Sequence, residues 1–485
     1  MKSYIKYIWA AILLCIITPT IAAQPLSNAY FLERAPLRHQ LNPALVPERG
    51  YFTLPAMGNI SMSVSSDLNY TTFIYPSEGN KLNTFLSPSI SAEEFDKKLK
   101  NRNVLNTDLG LSILSFGFHK WNGFNSFDIS LHSSISMALP GDLFRFLKNG
   151  SEEGAVTQYD LKDISAYADA YVEIALGHAH HINDQWTVGA KLKALLGGAQ
   201  ADAHFERLTL TMSEEQWKIE SYGVVDMSCA GAQLEIDEET GEISGIDFNT
   251  NNLGLAGGGA GIDLGVTYSP IENLIVSMAI TDIGFISWNK NLKGVTPEGE
   301  VIYDGFTGIG SDDYSDENGQ SQNVFDDQVD ELTDDLKALI EFREGDAPKK
   351  RTTWLNPALT FGAEYQLLHN HISVGLLSTT RFYKNNTHTS LMGSLNLKPF
   401  RWFMLGINGT VSNLANSFGA VLNFGPLFIG ADISTMRVTP DFIPLGELAA
   451  NINFGLSIPL GKDPRLKKEK VYTSVPENMK KSSHS

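Results

Sequence analysis

The sequence predicts an all-β chain, a transmembrane antiparallel β-barrel of about 14 strands. Three observations carry that prediction. Apolar and polar residues alternate in segment after segment; short and long connections alternate between those segments; and beyond the first 20 residues there is no apolar run long enough for a membrane helix. Successive strand side chains point to opposite faces, so one set can meet lipid while the other meets a lumen. Glycine, at 42 residues, and aromatics, at 10%, fit such strands.

Taken in order, residues 1–23 read as a secretory signal. Lys2 and Lys6 give the positive start, residues 7–17 the apolar stretch, and Ile21-Ala22-Ala23 a small-residue cleavage site before Gln24. That stretch is too short to span a bilayer as a helix. Leu14 before Cys15 does not fit a lipoprotein anchor. Cleavage leaves Cys229 as the one cysteine, which excludes an intramolecular disulfide and a CxxC metal or redox site. Residues 24–50 show no alternation and form either a plug in the lumen or a periplasmic segment beneath it.

The barrel itself spans 51–460. Strands are expected at 51–66, 108–119, 124–138, 163–180, 184–199, 257–269 and 274–287. A second set follows at 354–366, 371–384, 388–398, 401–413, 416–424, 427–437 and 448–460. The segment 260–269 is representative: Ile262, Leu264, Val266 and Tyr268 make one face, Gly261, Asp263, Gly265, Thr267 and Ser269 the other. With the N-terminus periplasmic, the turns 119–123, 181–184, 270–273, 366–370, 398–400 and 425–426 are all short. The outer connections 67–107, 139–162, 200–256, 288–353 and 438–447 are the long ones. Trp121, Trp186, Trp288, Trp354 and Trp402 fall near strand ends, where an interfacial belt would place them.

Outside the strands, Ser91 and Glu94 make a capping box that opens a short helix to Lys100. In the outer loop 288–353, Phe325, Val329, Leu332, Leu336, Leu339 and Ile340 mark an amphipathic helix over about 324–342. The same loop holds most of the acidity: 311–346 carries thirteen Asp or Glu against Lys337 and Arg343, a balance of −11. The whole chain is −18, and loss of Lys2 and Lys6 makes it −20, which argues against nucleic acid as a partner. Residues 461–485 read as a polar, basic, disordered periplasmic tail.

Leu41-Asn42-Pro43-Ala44 ahead of the first strand is similar to a signature of barrels related to long-chain fatty-acid transporters. The run from Gly257 through Asp263 to Tyr268, followed by Ile280-Thr-Asp282-Ile-Gly284-Phe-Ile-Ser-Trp288, resembles an uncharacterised family of outer-membrane β-barrels from Bacteroidetes-type bacteria. A looser similarity reaches the accessory barrels of type IX secretion. The resemblance covers roughly 30–460 and implies location in the outer membrane of a Gram-negative cell. It assigns no activity and carries over no catalytic residue. One departure is that the chain runs past its last strand into the basic tail.

The residues themselves offer no catalytic constellation, no cofactor motif and no metal set. Gly257–261 precedes no Lys-Ser/Thr and begins a strand; His178, His180 and His181 lack a third ligand at fixed spacing; Asp312, Asp313, Asp316 and Glu317 miss the calcium-loop pattern. A non-enzyme is expected. The informative polar residues are those whose parity turns them inward: Asp128, His132, Asp169, Glu173, Lys191, Lys193, Asp263, Glu364 and Asp432. They either pair with one another to fill the lumen or line a solute path. Asp282 shares parity with lipid-facing Val276, Met278 and Ile280, so it requires either a bulge near Gly284 or a place at the interface. The organisation favours passage or binding of a small solute, hydrophobic solutes among the candidates, through a largely plugged barrel. The alternative is an accessory barrel that displays 288–353 and 461–485 to envelope proteins. Outer-membrane lipid is the surrounding partner in both.

Overall fold

The computed structural model describes residues 29–33, 36–53, 57–77, 81–150, 154–213, 215–252, 254–303, 341–400, 402–434, 436–438, 444–446 and 448–460. The expected signal at 1–23, all but the last two residues of the acidic helix expected over about 324–342, and the tail 461–485 lie outside these residues.

The barrel strands are β1 (Gly50–Thr53 and Ile60–Ser66), β2 (Arg102–Lys120), β3 (Gly123–Pro140), β4 (Ser165–His181) and β5 (Trp186–Met212). Next come β6 (Gly257–Ile271), β7 (Leu274–Trp288), β8 (Arg351–Trp354 and Ala358–Leu367), β9 (Ile372–Phe382) and β10 (Thr387–Phe400). The ring ends with β11 (Phe403–Ser412), β12 (Ser417–Phe424), β13 (Leu427–Ser434) and β14 (Leu448–Leu460). Every strand pairs antiparallel with its sequence neighbours, and β14 returns to β1 through Ile60↔Phe454 and Ser66↔Leu448. The ring of 14 strands is therefore closed, as expected, and no edge is left with unpaired backbone groups.

Lipid is the reason the alternation is so regular. Within β5, Lys191 is 2% exposed, Leu192 64% and Lys193 7%. Leu176, Leu376, Ile407 and Phe418 face outward in the same way. Aromatic pairs rim this apolar band. Trp186 stacks on Tyr268 at 4.3 Å and Phe400 on Trp402 at 5.4 Å by the short turns, while Phe285 meets Trp354 at 5.9 Å nearer the outer side. From Trp354 to Tyr365 a tilted strand rises roughly 25–28 Å, the height of a hydrocarbon layer. No helix among the described residues is long and apolar enough to cross a membrane.

Three expectations need correction. The connection 200–256 is not a plain loop, because β5 continues to Met212 and pairs with a strand at Trp217–Cys229. That strand in turn pairs with Asn291–Val295 and Gly299–Tyr303, so a sheet rises beyond the membrane. Outside lipid the faces need not alternate, and the sequence signal fades. Trp288 is not interfacial; it is fully buried, packs with Leu195, Ile286 and Leu355, and donates from Nε1 to Thr353 Oγ1 at 2.8 Å. The capped helix is shorter than expected, Ala92–Asp96, although Ser91 does accept from the Glu94 amide at 3.1 Å.

Candidate functional site

The N-terminal segment enters the barrel from the end that carries the short turns. Ala29, Leu32 and Asn42 are almost wholly buried. Ala29 and Leu32 pack on Met404, Val421 and Phe428 of β11–β13, and Tyr30 and Phe31 pack with Leu377 and Met392 of β9 and β10. Tyr30 shares a hydrogen bond with Ser277 of β7 at 2.9 Å, and Asn42 donates to the Met278 carbonyl at 3.3 Å. Asn42 also accepts from the Ala44 amide at 2.9 Å, which closes the Asn-Pro-Ala turn. Strand glycines make room for it: a Cβ on Gly265 would strike Asn42, and one on Gly189 would strike Pro43. At the rim, Glu33 accepts from Gln366 at 2.8 Å and from Asn370 at 3.0 Å, with Lys398 at 3.4 Å.

Above this segment lies a network of buried charge. Lys193 reaches Asp282 at 2.7 Å, Asp263 at 2.8 Å and Glu173 at 3.1 Å. Arg381 holds Asp282 from the other side at 3.3 Å. Asp128 takes Lys191 at 3.3 Å, His39 at 3.2 Å and the Ser115 hydroxyl at 2.6 Å. Asp282 comes inward because it is the bulge: Ile262 pairs with Ile283 and Leu264 with Ile280, so Thr281 and Asp282 together oppose Asp263. Its φ is +60°, in the left-handed region, and its amide donates to Asp263 Oδ1 at 2.7 Å. Such a backbone is costly for a non-glycine residue and persists where its surroundings hold it.

Residues that cross the lumen bound the other end. The turn after β9 folds into the lumen rather than out to solvent. Tyr383 donates to Asp108 of β2, Lys384 contacts Asp202 of β5, and Asn385 donates to the Ser136 carbonyl of β3 at 3.0 Å. Those partners stand on the opposite side of the ring. Between β8's two pieces, Asn356 also crosses, donating to Ser134 of β3 at 3.2 Å. A cavity of about 160 Å³ remains between the N-terminal segment and these crossing residues. Tyr30, Gln40 and Leu41 line it from the N-terminal segment, Tyr383 and His388 from the opposite side.

The expected inward residues separate into groups. Asp128, Glu173, Lys191, Lys193 and Asp263 are buried in the network, and His132 stands at its edge, stacked on Tyr171 and 3.8 Å from Glu173. Asp169 is buried on the chamber wall, bonded to the Tyr167 hydroxyl at 3.1 Å. Glu364 lies apart, with Lys398 at 3.2 Å near the rim of short turns, and Asp432 bonds Asn451 at 3.0 Å on β13 and β14, outside the chamber. Asp108, Arg381, Tyr383, Lys384 and His39 also belong to the site and were not anticipated. Arg381 shares inward parity with Ser373 and Leu377, which was a readable sign; the turn residues offered none.

The family is decided by sequence. A family model described as a family of unknown function (DUF5723) matches residues 43–432. The chain belongs to this family. No curated protein matches it in sequence. Among solved structures it is similar to the toluene transporter TbuX of Ralstonia pickettii, at 9% identity over 91% of this chain and 96% of that one, with a TM-score of 0.41. It is also similar to a FadL homologue of Pseudomonas aeruginosa, at 11% identity over 90% and 98%, TM-score 0.39. A third is the Pseudomonas putida toluene transporter TodX, at 9% identity over 90% and 94%, TM-score 0.37.

Proposed function

We propose that this DUF5723 member is an outer-membrane barrel that binds a small solute in its lumen and passes it toward the periplasm. The supporting observation is the chamber of about 160 Å³, bounded at once by the N-terminal segment and by the inward turn after β9. A barrel built only for display has no use for a partly charged cavity bounded on two sides within its lumen. In this reading the signal 1–23 is removed on export, and 24–50 acts as a plug that narrows the periplasmic half. The lining mixes Leu41, Leu111, Leu355 and Leu377 with charged groups, which suits a solute that has an apolar part.

Liposome swelling tests the proposal. Wild-type barrel should admit small solutes slowly, and deletion of 24–46 should speed entry several-fold while the protein stays heat-modifiable on gels. Equal, negligible swelling by both proteins would refute passage. The sheet that rises from β5 supports a second reading, an accessory barrel that engages envelope proteins. Deletion of 304–340 that leaves swelling intact but removes co-purifying envelope proteins would favour it.

A further inference from the structure

We infer that the chamber selects a small organic cation, an amine joined to a compact apolar body, and that Asp169 with Asp108 recognises the amine. The inference deepens the reading of the lumen as a solute site and rests on it.

The cations of the chamber are already engaged. Lys191 faces Asp128, Lys193 faces three carboxylates, and Arg381 faces Asp282. The carboxylates are in excess. Among the described residues, neither Asp108 nor Asp169 has a Lys, Arg or His within the 4.0 Å of an ion pair, although the other acidic groups around the chamber do. The two sit at one height on one wall: Asp108 pairs with Ser134, and Ser134 with Asp169.

Asp169 is 7% exposed, and its Oδ1 has no hydrogen-bond partner, while Oδ2 takes the Tyr167 hydroxyl. A buried carboxylate oxygen left without a donor is costly, and an ammonium supplies the missing donor and charge together. On the same lining Asn59 Oδ1 also lacks a partner, as do the Ser112 hydroxyl and the ring nitrogens His132 Nε2 and His388 Nε2, which can donate or accept. Asp169 Oδ1 and Asn59 Oδ1 can only accept, and they are the atoms an ammonium would satisfy. The volume suits one ring or a short chain, since a cavity of roughly 150 Å³ holds benzene. The apolar part has Leu355, Leu377 and the Tyr171 ring to rest on.

Three probes of one shape decide the matter: 2-phenylethylamine, 2-phenylethanol and phenylacetate, each measured by equilibrium dialysis against the full-length barrel in neutral detergent. The amine should bind at least tenfold more tightly than the alcohol, and phenylacetate should not bind. Asp169→Asn should lower amine binding about tenfold and leave the alcohol within twofold; Asp108→Asn should lower it less. Heat-modifiability verifies that each variant has folded. Equal binding of amine and alcohol, tighter binding of phenylacetate, binding of none of the three, or an Asp169→Asn barrel that keeps amine affinity would each overturn the inference. Swelling on the same preparations separates the two claims. A barrel that swells without preferring the amine retains passage and loses this selectivity; one that binds the amine without swelling does the reverse.

Discussion

Replacing Asn42 with alanine should loosen the N-terminal segment without touching the barrel wall. The Asn42 side chain is fully buried and makes three bonds: it donates to Tyr30 at 3.1 Å and to the Met278 carbonyl at 3.3 Å, and accepts from the Ala44 amide at 2.9 Å. Each such bond contributes on the order of 1 kcal/mol net, and the orphaned Ala44 N–H adds a desolvation cost, so docking should weaken by about 2–3 kcal/mol. A released segment that is rare in the native barrel then becomes roughly 30- to 150-fold more populated. Single-channel recording in planar bilayers reads that change as the frequency of openings, with a barrel lacking 24–46 as the fully released reference. Unfolding midpoints should move little, because Met278 keeps its ladder partner Val266. If the deletion conducts freely while Asn42→Ala opens no more often than wild type, the bonds at Asn42 do not hold the segment. If the deletion itself conducts no better, the segment does not obstruct the lumen.

Three further outcomes are expected. Leu264→Lys places a charge on the lipid face and should cost about 2–4 kcal/mol, read as a lower folded fraction on unheated gels, whereas Thr267→Lys should cost far less; equal losses would refute the facing assigned to β6. Asp282→Ala leaves Lys193 and Arg381 short of a carboxylate and should lower stability by about 3 kcal/mol in urea titrations, with Asp282→Asn milder; an unchanged midpoint would show that the network contributes nothing net. Burial works against charge on Glu33, but Lys398, Arg38 and the Asn370 amide outweigh it and hold its carboxyl below the ordinary 4.5. A lowered carboxyl stabilises docking above its free value and loses that contribution as pH falls through the docked one. Channel openings should therefore become more frequent below about pH 4.5 in wild type and be insensitive to that change in Glu33→Gln.

Nearly all of the barrel was legible in the sequence because lipid imposes a rule on every residue of a spanning strand. Lys191, Leu192 and Lys193 can satisfy it in one way only, so their facing, and through them the location of the buried charge, could be read directly. The rule ends where lipid ends. Residues 201–212 continue β5 beyond the membrane with no apolar face required, and they were taken for loop. The short connection after β9 carries no sign of its direction, since its length is the same whether it points out or in, and the strand expected to reach 384 ends at Phe382. What turns it in is a set of partners on β2, β3 and β5, between 182 and 275 residues away in the chain. The segment 29–46 escapes for a related reason: its contacts are scattered over β3, β7, β8 and β10, and no local period can record them.

Asp282 shows how one local irregularity sets both the site and a misreading. On β7, Ser277, Ala279 and Thr281 point inward; past the bulge the inward set is Gly284, Ile286 and Trp288. One inserted residue exchanges the faces of all that follow, which is why Trp288 lies in the interior although its number shares the parity of lipid-facing Met278. The neighbouring strand matches the change. Thr281 pairs with Ala358 and Phe285 with Trp354, and in the gap between them Leu355 donates its amide to the Gly284 carbonyl. The bulge in β7 and the break in β8 thus occur at one height of the wall, as two sides of a single distortion. It delivers Asp282 to Lys193 and Arg381, Leu355 to the cavity and Asn356 across the lumen to Ser134. A regular ladder at this height would point Asp282 at lipid and leave Lys193 with two carboxylates instead of three. The strain held at Asp282 is therefore tied to the charge balance of the chamber, and a substitution that restored ideal pairing there would alter the site rather than repair a defect.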